Sequence, residues 1–166
     1  MQDACCEELA LLGGPKAKCT PLPQRIRHGE AERRYLTEVI DSGVLFYFLG
    51  TKVFEFQNHF AEMWGKRHCI ACSSGTAAMH MAVAALELPP GSEVITSSIT
   101  DMGTLTGILY QGLIPVFADV DPHTLNMSPD SVRNAISSRT RAIVAVHHSG
   151  LAADMDALLS IGREYG

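Results

Sequence analysis

Residues 92–120 read SEVITSSITDMGTLTGILYQGLIPVFADV. SEVITSS (92–98) and LIPVFADV (113–120) are short runs rich in β-branched and apolar residues, and the segment after Asp101 between them has the length and apolar content of a helix. A strand, a helix and a second strand in that order predict a parallel β-α-β unit.

The same alternation continues outward. Upstream, HCIAC (68–72) reads as a strand leading into a helix from Thr76 to Leu86. Downstream come SPDSVRNAI (128–136) as a helix, RAIVAVHH (141–148) as a strand, and DMDALLSIGREYG (154–166) as a helix with Asp154 at its N-cap. RAIVAVHH is almost continuously apolar, the pattern of a strand covered on both faces. The fold class expected is therefore α/β, a mostly parallel sheet flanked by helices. Before this region, an irregular leader occupies residues 1–28. GEAERRYLTEVIDSG (29–43) predicts a helix from Glu30 to Asp41, with Tyr35, Leu36, Val39 and Ile40 on one face and Gly43 as its stop. KVFEFQNHFAEMWG (52–65) predicts another, ending on Gly65, whose stripe of Val53, Phe56, Phe60 and Met63 reads as core.

With 166 residues, 46% hydrophobic and 19% charged, the chain suits one globular unit with a sizeable core. A formal charge of -5 offers no basic footprint for nucleic acid. MQDACCEELALLGG (1–14) is acidic where a secretory signal needs positive charge, and no apolar stretch approaches the roughly 20 residues of a membrane span, so the cytoplasm is the expected compartment. The cysteines, Cys5, Cys6, Cys19, Cys69 and Cys72, are odd in number and irregularly spaced, which argues against a disulfide framework. Cys69 and Cys72 form a Cys-x-x-Cys pair, but on a strand they point to opposite faces, so they read as packing residues rather than as a redox or metal pair.

SSGT (73–76) lies where ligands gather in parallel sheets, between a strand end and a helix N-terminus. Gly75 lets a phosphate approach the backbone, and Ser73, Ser74 and Thr76 add hydroxyl donors. Taken alone, the same residues also fit a plain helix-capping turn. The helix they open is nearly all apolar and so calls for cover on more than one side, for which a partner subunit would serve.

SSGTAAMHMAVAAL, PPGSEVITSSIT, PVFADVDPHTLN and RTRAIVAVHHSGLAADMDAL, in this order, resemble the DegT/DnrJ/StrS aminotransferases. The resemblance runs from LALLGGPK (9–16) to Gly166. It implies the N-terminal part of a fold type I large domain, an incomplete parallel sheet over residues 29–166 that carries part of a pyridoxal phosphate site. Such enzymes commonly move an amino group from an amino-acid donor to a nucleotide-linked keto sugar, and are usually homodimers. The resemblance gives Ser74, Gly75 and Thr76 to the cofactor phosphate. It puts Asp101 where the family usually has an aromatic residue stacked on the cofactor ring. There Asp101 either bonds a polar group of the ligand or caps the following helix. His147 and His148, as strand neighbours, point to opposite faces, one towards the mouth of the site and the other into packing.

The resemblance further implies that the acid paired with the pyridine nitrogen and the lysine that holds the cofactor covalently both follow the position of Gly166. Lys16, Lys18, Lys52 and Lys66 all precede the phosphate turn and match neither motif, so no catalytic residue is assigned and the chain alone is expected to be inactive. Three readings stay open: a truncated aminotransferase, a non-catalytic phosphate-binding or dimerisation module of the same fold, and an unrelated phosphate-binding α/β domain. Phe46, Tyr47 and Phe48 in GVLFYFLGTKVFEF (43–56) border the acceptor pocket in the first reading and pack in a core or dimer contact otherwise.

Overall fold

The computed structural model describes residues 9–166 apart from 17, 22 and 26. Cys5 and Cys6 lie outside the described residues; Cys19, Cys69 and Cys72 are free thiols. The chain divides into two compact units, Met1–Cys69 and Ile70–Gly166.

In the first unit, a short 3-10 turn at Ala10–Leu12 precedes two helices, α1 (Glu30–Asp41) and α2 (Lys52–Met63). α1 has the expected bounds; α2 starts at Lys52 and ends at Met63, two residues before Gly65. Acidic Glu30 and Glu32 sit in the first turn of α1, where they complement the helix dipole, and Glu32 reaches back to accept the Gly29 N–H. The hydrogen bonds to Gly29 and to its own backbone N–H, the first being the larger effect, hold the Glu32 carboxyl below its ordinary value. Gly43 and Gly65 follow the two helices in left-handed conformations, which glycine adopts without steric cost. The aromatic stripe of α2 is not core: Phe56, Phe60 and Met63 are 54%, 43% and 75% exposed, and Ala61 is the buried residue of this unit among those described. The apolar face of α1 is likewise exposed. Helical spacing aligns these side chains, but it does not supply the second apolar layer that burial requires. Lys52 joins the two helices, 2.7 Å from Glu38 and 3.3 Å from Glu55.

The second unit is the parallel α/β element. Its helices are α3 (Gly75–Ala84), α4 (Met102–Tyr110), α5 (Pro129–Ala135) and α6 (Met155–Tyr165), and its strands are β1 (Glu93–Ser97), β2 (Ile114–Ala118) and β3 (Thr140–Val144). The strand order is β2-β1-β3, with both pairings parallel, as the alternation predicts. Successive side chains of β1 enter opposite layers. Val94 packs with Val83, Ile108 and Leu113, whereas Ile95 packs with Ala118, Met127, Val132, Leu158 and Ile161. Helices thus cover both faces of β1, and every residue of that strand is buried. Each fully buried Val or Ile there contributes about 1.5–3 kcal/mol of burial.

Two expectations change here. HCIAC forms no strand, and Ile70 is 71% exposed, because among the described residues no strand pairs with this segment. β3 is half-buried rather than fully covered, since it forms one edge of the sheet. Asp154 caps α6 as predicted, accepting the Ala157 N–H at 3.0 Å.

Candidate functional site

α3 and α4 run side by side. Thr76 stands against Gly103, and His80, one turn further on, stands against Gly107, so the two helices are parallel and their N-termini lie at the same end. That end adjoins the carboxyl end of β1, whose last residue, Ser97, leads through 98–101 into α4. The contact is close because Gly107 has no side chain: a Cβ there would lie 2.8 Å from His80 Cα and 2.9 Å from its nitrogen. Gln111 closes the far end, its amide nitrogen 2.7 Å from His80 Nε2.

At the N-terminus of α3, Ser74 is the N-cap and its hydroxyl oxygen accepts the Ala77 N–H at 3.1 Å. Ala78 N–H donates to the Ser74 carbonyl. The N–H groups of Gly75 and Thr76 are then left without an internal acceptor among the described residues, as the first N–H groups of a helix are. The Thr76 hydroxyl also has no internal hydrogen bond among the described residues. A Cβ on Gly75 would meet no atom within 4 Å, so the approach to these donors is open.

Asp101 caps α4: its Oδ1 accepts the Gly103 N–H at 2.7 Å, and its carbonyl accepts the Thr104 N–H at 3.0 Å. One carboxylate therefore serves the positive end of α4, while the adjacent positive end of α3 keeps its free donors for another anion. These donors fit a phosphate: two backbone N–H groups, a free threonine hydroxyl and a glycine face that a side chain would fill.

His147 and His148 lie beyond the end of β3, so strand alternation does not govern them. His147 Nδ1 accepts the Ala153 N–H at 3.0 Å, and the His148 backbone N–H donates to Asn126 Oδ1 at 2.9 Å. Buried Asn126 also donates to the carbonyls of Leu151 and Ala152, tying the loop after β3 to the segment before α5. Sequence reasoning passed over both Asn126 and Gly103. For Gly103, the Gly-x-x-x-Gly spacing with Gly107 was an available signal of close helix approach; for Asn126 there was none. A cavity of about 520 Å³ lies elsewhere, between β3 and α6, lined by Ile143, Met155 and Leu158 among others and by none of the phosphate-cup residues. Among the described residues no group of three or more His, Cys, Asp or Glu side chains is placed to hold a metal.

A parallel sheet flanked by helices, with free backbone N–H donors at the N-terminus of one of them, defines an α/β class. Within it, this chain belongs to the DegT/DnrJ/EryC1/StrS aminotransferase family, whose profile matches residues 27–166. It is 41% identical over 138 residues to the spore coat polysaccharide biosynthesis protein SpsC of Bacillus subtilis strain 168, a match covering 83% of this chain and 35% of that protein. Among solved structures, the aminotransferase from Psychrobacter cryohalolentis superposes with a TM-score of 0.78 at 30% identity, over 87% of this chain and 36% of its own. NtdA from Bacillus subtilis, solved with bound PMP cofactor, gives 0.75 at 33%, over 80% of this chain and 30% of its own. The chain spans about a third of the length of these relatives. No helix among the described residues is long and apolar enough to cross a membrane.

Proposed function

We propose that this chain is the N-terminal part of a pyridoxal phosphate-dependent aminotransferase whose full-length form transfers an amino group from an amino-acid donor to a nucleotide-linked keto sugar or related carbonyl compound. The observation that carries this reading is the α3 N-terminus, where Gly75 and Thr76 are exposed and their N–H groups and the Thr76 hydroxyl have no internal hydrogen-bond partner among the described residues. In it, Gly75 and Thr76 donate to the cofactor phosphate. Ser74 fixes the first turn of α3 so that these donors stay aimed outward, and its own hydroxyl proton remains available to the same phosphate. Asp101, held by the Gly103 N–H, stands at the edge of the cofactor site and contributes a carboxylate where an aromatic face is usual in the family. Pyridoxal phosphate, when bound, supplies the electron sink through which the amino group moves.

The residues that hold the cofactor covalently and pair with its ring nitrogen belong, on this proposal, to the part of the enzyme after Gly166. The 166-residue chain alone therefore performs no amino transfer. Homodimer formation and a cytoplasmic location complete the proposal, the first supported by the nearly all-apolar α3, of which only Val83 is buried. The test is a full-length form, extended to the length of the relatives, supplied with pyridoxal phosphate, an amino-acid donor and a nucleotide-linked keto sugar. Conversion of the cofactor to its amino form by the donor, and its return on adding the sugar, is the expected result. A full-length protein that binds the cofactor with neither conversion would leave the non-catalytic module as the better reading.

A further inference from the structure

The phosphate cup has a neighbour that no motif points to. A Cβ built on Gly103 would lie 2.6 Å from Thr76 Oγ1 and 2.8 Å from Asp101 Oδ1. Both oxygens therefore lie within 3 Å of one point, the place a side chain at 103 would occupy. Gly103 also donates its own N–H to Asp101 Oδ1. The crowding differs in kind from that at Gly107. There a Cβ would meet the backbone of His80, which yields only if the helices part, whereas at Gly103 it would meet the tips of two side chains. Threonine in a helix has two accessible χ1 rotamers, and Asp101 is exposed, so both side chains can turn away without moving either helix.

We infer that Gly103 is a positioning residue for the cofactor phosphate: its missing side chain is what lets the Thr76 hydroxyl and the Asp101 carboxylate stand together at the paired N-termini of α3 and α4. This rests on the proposed cofactor role of Thr76 and adds to it a residue on the neighbouring helix. A methyl group at 103 leaves the fold in place and turns the Thr76 hydroxyl away from its present direction. The phosphate contact is lost while the rest of the ligand is still received.

The experiment measures the affinity of the full-length protein for pyridoxal phosphate and for pyridoxal, which lacks the phosphate, together with the melting temperature of the apo form. In Gly103→Ala the preference for the phosphorylated ligand should fall by about tenfold, the scale of one charge-assisted hydrogen bond. Thr76→Val should lower it similarly, and the double variant no further than Thr76→Val alone, because both changes act on one contact. An unchanged preference in Gly103→Ala, beside a reduced one in Thr76→Val, overturns the inference while leaving the cofactor reading intact. Equal weakening of both ligands with a lowered melting temperature also overturns it, by making Gly103 a packing residue. No binding of pyridoxal phosphate by the parent protein would remove the cofactor reading and this inference together. If Gly103→Ala fails to accumulate, it is examined in a Thr76→Ala, Asp101→Ala background, which deletes both crowding oxygens. That triple variant should melt with the Thr76→Ala, Asp101→Ala double variant, and a persistent deficit would show that Gly103 accommodates something other than these two side chains.

Discussion

At Asp101 one carboxylate answers two demands, capping α4 through the Gly103 N–H and standing beside Thr76. Asp101→Phe in the full-length form is expected to lower stability by about 0.5–2 kcal/mol through loss of the cap. It should also alter cofactor affinity and the rates of both half-reactions. A stability loss with affinity and rates unchanged would make Asp101 a cap alone. Glu93 is a second residue with a measurable signature. It lies at the start of β1, opposite the site, where Ser137 Oγ donates to it and Arg139 pairs with it. The Ser137 bond first, and then the Arg139 charge, hold its carboxyl below the ordinary 4.5. A carboxyl depressed on folding adds stability that is fully present above its unfolded value and is lost as pH falls through the folded one. Unfolding midpoints should therefore decline as pH drops below about 4.5, and Glu93→Gln should flatten that decline; a parallel decline in the variant would assign it to other carboxylates.

Elements were legible in the sequence where a local signal and a tertiary partner agreed. α1 and α2 carry helical spacing and glycine stops, α6 its aspartate cap, and the three paired strands their β-branched runs, so each was readable from its own residues. HCIAC has the same local character, but a strand exists only through hydrogen bonds to a neighbour, and 68–72 has none among the described residues. The aromatic stripe of α2 failed in the same way, since periodicity tells which side chains align and not what covers them. At the candidate site, the capping turn at Ser74 was readable because it uses adjacent residues. The pairing of Thr76 with Gly103 was not, because it joins two neighbouring helices that β1 separates in the sequence. The tightest point of that pairing is Gly107. Gly107→Ala gains up to about 1 kcal/mol of helix propensity but forces a methyl against the His80 backbone, at roughly 1–3 kcal/mol. The net expectation is a lower urea midpoint, and a midpoint at or above that of the parent would mean that α3 and α4 separate freely.

Among the described residues, β2 and β3 form the two edges of the sheet of the second unit, with no further strand paired to them, and the apolar faces of α1 and α2 in the first unit are exposed. Unpaired edges and uncovered apolar surface favour self-association, which is the expected behaviour of the 166-residue chain expressed alone. A monodisperse monomer that unfolds in one cooperative transition would contradict that. The central proposal is that Ser74–Thr76 hold the phosphate of pyridoxal phosphate; the free N–H donors at the α3 N-terminus support it. The most direct measurement is a titration of apo full-length protein with pyridoxal phosphate, parent beside Thr76→Val. Loss of one charge-assisted hydroxyl contact predicts binding weaker by about 1.5–3 kcal/mol, roughly ten- to hundredfold, whereas equal affinity in parent and variant would contradict the assignment of this turn to the cofactor.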